Sequence, residues 1–207
     1  MEKTILSIDF DIVMHPCIEL YNDDVEGEDN PEELWNFLEK KYNFEDLNLL
    51  KYDDKLVIQL IQLLKHNKNK PIYFIQEHQE IVDILKKSPT YKEDKYNIIN
   101  IDFHHDLWYN EESFQAILQD DEYNCANWLG YLLLKKKLIS ASWVKASNSI
   151  PPRIKTYGNN IQLNTLYFKD LEKLYQIDFD EIYFCLSPQW VPPKYQIIYE
   201  IIKLLLT

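Results

Sequence analysis

The chain has 207 residues, 46% of them apolar, and a formal net charge of −12. That length fits one domain with a substantial core, and the acidic balance argues against a nucleic-acid surface, which needs clustered Lys and Arg. The only glycines, Gly27, Gly130 and Gly158, exclude a P-loop and a G-x-G-x-x-G turn, since both need several at fixed spacing.

The N-terminal run has no long apolar segment and meets acidic residues at once, so it reads as a strand, Ile5–Ile8, and not as a signal peptide. Asp9-Phe10-Asp11 follows it, and Tyr21–Asn30 is a polar acidic loop. A helix then opens with Asn30 as N-cap and Pro31 at its first position. In Asp54–Lys65, apolar residues at 56, 57, 58, 60, 61, 63 and 64 give the pattern of a well-buried helix. A strand at Ile72–Ile75 runs into Gln76-Glu77-His78, a helix covers Glu80–Lys87, and a strand at Ile98–Ile101 runs into Asp102-Phe103-His104-His105-Asp106. Helical patterns recur at Glu111–Leu118 and Asn127–Lys137, with Lys135-Lys136-Lys137 as a solvated helix end. Ser147–Asn160 is a second long loop, Asp178-Phe179-Asp180 a short one before the strand Ile182–Leu186, and Lys194–Leu206 a closing amphipathic helix. The strands are short and lack strict alternation, as strands buried on both faces do. Strand and helix in alternation predict one α/β domain over residues 1–207, a mainly parallel sheet flanked by helices. No apolar span reaches transmembrane length, and a soluble, cytoplasmic protein is expected. Cys17, Cys125 and Cys185 are too scattered for a disulfide framework or a thiolate metal site and read as reduced thiols.

In an open parallel sheet, ligands sit beyond the carboxyl ends of the strands, where this chain places its most unusual residues. Asp102, His104 and Asp106 stand at i, i+2 and i+4, so an extended backbone through them would turn all three to one side. Asp9 and Asp11 end the first strand and His78 follows the second. Four carboxylates and two imidazoles suffice for two divalent ions with bridging carboxylates. Asp/His ligation without thiolate favours Mn²⁺, Fe²⁺ or Zn²⁺. An Asp-x-Asp after a strand often only caps the next turn; Asp-x-His-x-Asp has no such ordinary explanation.

On these residues the chain resembles the ureohydrolases, the arginase and agmatinase superfamily. Their Asp-Ala-His-x-Asp stands here as Asp102-Phe103-His104-His105-Asp106, and their Ser-x-Asp-x-Asp-x-x-Asp-Pro in part as Ser7-Ile8-Asp9-Phe10-Asp11-Ile12-Val13-Met14-His15-Pro16, without the third Asp and with the Pro displaced by one. Their Gly-Gly-Asp-His is reduced to Gln76-Glu77-His78. The Asp-x-Asp element comes first here and last in arginases, and this chain is much shorter. Within that superfamily it looks most similar to the small peptide arginases, which convert arginine to ornithine in ribosomally made peptides; Cys125-Ala-Asn-Trp128 and Cys185-Leu-Ser-Pro-Gln-Trp190 add to that likeness.

The resemblance implies an arginase-like three-layer architecture and two divalent ions, with Mn²⁺ favoured. One ion would lie on His78, Asp102, Asp106 and Asp9, the other on His104, Asp102, Asp9 and Asp11. It further implies hydrolysis of a guanidinium group to urea and an amine, on an arginine-containing peptide or a small guanidino substrate. His105 and His15 are the candidates for returning a proton to the leaving amine, and Glu77 for pairing with the guanidinium. Two other functions compete. A single-metal amidohydrolase or deacetylase would need fewer ligands, and a non-catalytic interaction protein would bind its partner without metal.

Overall fold

The computed structural model describes residues 1–14, 30–42, 52–108, 110–152 and 163–207. The expectations placed on His15, Cys17 and most of the two long loops lie outside the described residues. Six strands, β1 (Glu2–Asp9), β2 (Ile72–Ile75), β3 (Lys95–Ile101), β4 (Leu138–Lys145), β5 (Leu163–Tyr167) and β6 (Glu181–Cys185), make one sheet. Its order is β2-β6-β1-β3-β4-β5, and every pairing is parallel. The α-helices are α1 (Pro31–Tyr42), α2 (Asp54–His66), α3 (Glu80–Lys87), α4 (Glu111–Gln115), α5 (Trp128–Leu134) and α6 (Pro193–Leu206).

The sheet is the middle of three layers because its strands send alternate side chains to opposite faces. Leu6, Ile8, Ile99, Ile101, Ile182 and Phe184 pack with α2, α6 and the 3-10 segment Phe168–Gln176. Ile5, Tyr96, Ile98 and Tyr183 face the other way, onto α3, α4 and α5. Both faces are therefore apolar, which is why these strands carry near-continuous hydrophobic runs.

Local signals act where the sequence places them. Asn30 Oδ1 accepts from the backbone N–H groups of Glu32 and Glu33 at 3.1 and 3.3 Å, and Asp53 Oδ1 caps α2 from Leu56 N at 3.0 Å. The four expected strands are present; β4 and β5 are additions. β5 forms the sheet edge with Asn164 and Thr165 exposed, and β4 mixes Ser140 and Ser142 among its apolar residues, so neither has the uniform apolar run of a central strand. One expectation is corrected. The strand through Ile98–Ile101 stops at Ile101; the backbone bends at Asp102–His104, and Asp106 takes a left-handed φ of 52°. Among the described residues, no helix is long and apolar enough to cross a membrane.

Candidate metal centre

The four neighbouring strands β2, β6, β1 and β3 deliver their carboxyl ends to one place. Asp9 is the last residue of β1, Asp11 lies in the buried 3-10 turn Phe10–Met14 that follows, and Asp102 comes directly after β3. His78 lies three residues past β2. The side chains of these four, with Asp106, are at most 5% exposed; His104, at 20%, is the member open to solvent.

His78 Nδ1 is the centre of one group. It stands 2.9 Å from Asp106 Oδ2, 3.3 Å from Asp102 Oδ2 and 3.4 Å from Asp9 Oδ2. A ring nitrogen has at most one proton to donate, so His78 cannot serve all three, and the same oxygens accept from Trp128, Asn100 and Ser187. His104 Nδ1 is the centre of a second group, 3.1 Å from Asp11 Oδ2 and 3.8 Å from Asp102 Oδ1. Asp102 thus turns one oxygen to each group. In each of the trios His78–Asp102–Asp106 and Asp11–Asp102–His104, the ligand atoms lie within 4.8 Å of one another. The bend after β3 produces this division, sending Asp102 and Asp106 to His78 and His104 to Asp11, where a straight strand would have aligned all three.

The electrostatics show what the cluster lacks. Burial raises the pKa of Asp9 well above the usual carboxylate range, and Asp11 adds to it. Burial also raises Asp11, with Asp102 adding, and pushes Asp102 up to about 6, with Asp106 adding. Burial would depress His78 and His104, but the surrounding carboxylates outweigh it, raising His78 well above its usual value and His104 to about 9. Asp106 alone ends below its ordinary range; burial is outweighed by its bond to His78. Asp11 Oδ1 receives no hydrogen bond, and Asp11 Oδ2 faces His104 Nδ1 at 3.1 Å. Four buried carboxylates with only two imidazoles among them are costly, and a divalent cation is the partner that this donor set fits.

A second layer of polar side chains orients the first. Ser7 and Asn100 are register partners in β1 and β3, each two residues before an aspartate and so on the same face. Asn100 Nδ2 donates to Asp102 Oδ2 at 3.0 Å, and Ser7 Oγ lies 3.2 Å from His78 Nε2. Ser7 accepting from Nε2–H leaves the Nδ1 lone pair free to face a cation, the usual tautomer control of a metal-binding histidine. Trp128 Nε1 donates to Asp106 Oδ2 at 2.6 Å, Ser187 Oγ to Asp9 Oδ2 at 2.6 Å, and Trp143 Nε1 to the carbonyl of Asp102 at 2.9 Å. Ser7, Trp128 and Ser187 stand within the stretches that carry the resemblance, with no role implied for them there; Asn100 and Trp143 stand outside those stretches. Ser7 and Asn100 were detectable as polar interruptions in apolar strands; the two tryptophans look like core from sequence, and their rings are core, while their N–H groups serve the site.

The remaining candidates sit around this centre. Glu77 is half-buried, its carboxyl hydrogen-bonded to the Gln189 side chain, and burial raises its pKa. His105 is buried outside the convergent trios; its Nδ1 accepts from Leu107 N at 3.2 Å and its ring meets Trp143 edge-on at 5.8 Å. Burial lowers its pKa to about 4, so its imidazole is neutral at pH 7. Cys125 is partly buried, and burial pushes its thiol up to about 12. Trp190 stands at the mouth, its ring centroid 4.7 Å from that of His104. A scan against protein-family models found no match, and searches of curated proteins and of solved structures found none either.

Proposed function

We propose that this chain is a metal-dependent hydrolase of guanidino groups, acting on arginine within a peptide to leave ornithine and release urea. The observation that carries the reading is the buried Asp/His constellation on which the Asp-x-His-x-Asp motif and the Asp-x-Asp motif converge. Its motifs are those that resemble the ureohydrolases, and its donor set fits two divalent ions, Mn²⁺ foremost. His78, Asp106, Asp102 and Asp9 would hold one ion; His104, Asp11, Asp102 and Asp9 the other. Bound there, such ions act as Lewis acids and make water nucleophilic near neutral pH.

The chain's own residues supply the rest. Substrate enters beside His104, the exposed member, with the Trp190 ring as one wall. Glu77 accepts the guanidinium, for which a carboxylate is a bidentate partner, and Gln189 holds that carboxylate in place. Ser7, Asn100, Ser187 and Trp128 keep the ligands aligned before substrate arrives.

Elemental analysis of wild type and Asp102→Ala, coupled to a urea assay with arginine peptides, tests the proposal. Two ions per chain and urea release in the wild type, both lost in the variant, are expected. Full activity in Asp102→Ala would overturn the reading. One ion per chain would point instead to a single-metal hydrolase.

A further inference from the structure

The cysteines are too scattered in sequence to mark a thiolate site, yet the structure brings one thiol to the cluster. Cys185 ends β6, and its register partner across the β1–β6 pairing is Asp9. Neighbouring parallel strands in register present such partners side by side on one face. Cys185 Sγ, a His78 ring nitrogen and an Asp9 carboxylate oxygen all lie within 4.8 Å of one another, and all three residues are buried. His78 and Asp9 already belong to the carboxylate group described above, so the sulfur flanks the same centre.

We infer that Cys185 is a sulfur ligand to the cation held by His78 and Asp9. The inference rests on the reading that this cluster binds a cation. The charge balance of the neighbouring side chains points to a cation here. Four buried carboxylates, Asp9, Asp11, Asp102 and Asp106, converge with only two imidazoles, His78 and His104, among them.

The thiol is held loosely enough to change partners. Its hydrogen bond runs to Gln76 O at 3.3 Å, and Ser187 Oγ lies 3.3 Å away; sulfur is a weak donor and acceptor, so little is lost when these contacts loosen. On coordination the S–H proton leaves to solvent and the sulfur lone pair forms the bond to the ion. Ser187 already donates to Asp9 Oδ2, so the same turn after β6 orients the carboxylate and carries the sulfur.

A sulfur among oxygen and imidazole donors changes which ion the centre prefers. Thiolate is a soft ligand that favours Zn²⁺ and Co²⁺ over Mn²⁺. At this end of the cluster, the preference moves away from the Mn²⁺ that an all-Asp/His set suggests.

The test is to load the metal-free, full-length protein with Co²⁺ and record its absorption. Visible ligand-field bands together with a near-ultraviolet sulfur-to-cobalt charge-transfer band are expected. Cys185→Ser should keep the first and lose the second, Cys125→Ser should keep both, and a Zn²⁺-loaded sample should show a sulfur scatterer at about 2.3 Å by X-ray absorption. Cys185→Ser should also lower the preference for Zn²⁺ over Mn²⁺ at least about tenfold, in line with the softness of thiolate. Ligand-field bands without charge transfer in the wild type would overturn the sulfur ligand while leaving the metal centre intact. No cobalt spectrum at all would overturn both. The wild-type spectrum decides the matter even if Cys185→Ser fails to fold.

Discussion

Three carboxylate oxygens lie within 3.4 Å of His78 Nδ1, and Trp128, Asn100 and Ser187 each hold one of them from behind. Ser7 Oγ lies 3.2 Å from His78 Nε2, the ring nitrogen opposite the one that meets the carboxylates. Ser7→Ala should therefore weaken cation affinity about 10- to 100-fold, the usual effect of losing such a supporting partner, with the far-ultraviolet circular dichroism unchanged. Chelator competition would measure it, and an unaltered affinity would remove Ser7 from the site. His105 stands differently, buried and neutral, accepting from Leu107 N against the Trp143 ring. His105→Ala should cost about 1–3 kcal/mol of stability, the penalty for a buried N–H left without its acceptor. Bound metal per folded molecule should stay the same. Urea release falling much further than the folded fraction would instead give His105 a part in proton transfer.

Between elements, the position of Asp106 depends on how α5 meets the segment after β3. Gly130 N donates to Asp106 O at 3.0 Å, and a Cβ at Gly130 would come within 1.9 Å of Leu107 O. Backbone cannot yield as a flexible side chain does, so helix and segment can approach this closely only at a glycine. Trp128, on the same helix, then reaches Asp106 with its indole N–H. Gly130→Ala should destabilise the fold by about 1–3 kcal/mol or more, as overpacking does. It should also lower cation affinity, because the peptide it displaces carries a ligand. Denaturant melts and metal titration on the same sample would separate the effects. Tight binding at unchanged affinity would show that Asp106 tolerates the shift.

For the whole molecule, a cation held by this cluster would link binding to folding. An ion that binds only the folded chain adds about 2.7 kcal/mol at a concentration 100 times its dissociation constant, so chelation should lower the melting temperature. The size of the drop should depend on pH. His104 in the metal-free protein is raised to about 9 by its carboxylates. A folded pKa above the unfolded value of about 6.5 stabilises fully below the unfolded pKa, and the contribution is lost as pH rises through 9. The metal-free protein thus weakens over that window, whereas an ion binds best once the imidazole has lost its proton. The melting-temperature gap between metal-loaded and metal-free protein should widen from pH 6.5 to 9, with proton release on loading at pH 7. A gap that stays constant would show that His104 does not gate cation binding.

Strand and helix periodicity, the Asn30 cap and the acidic residues ending the apolar strands were all legible along the chain, because each depends on neighbours a few positions apart. So were the α/β class with its parallel sheet and the six Asp and His residues that the fold then gathers. Tertiary structure alone decided the strand order β2-β6-β1-β3, which places four carboxyl ends side by side. It also decided the division of the Asp102–Asp106 run between two groups, because the backbone bends where pattern alone suggested a continuing strand. Trp128, Ser187 and Cys185 stand in stretches that the sequence singles out, but their places at the site were illegible for the same reason. Each reaches the site across a sequence separation that no local spacing encodes, and only the pairing of strands and the packing of α5 supply the distances on which their chemistry depends.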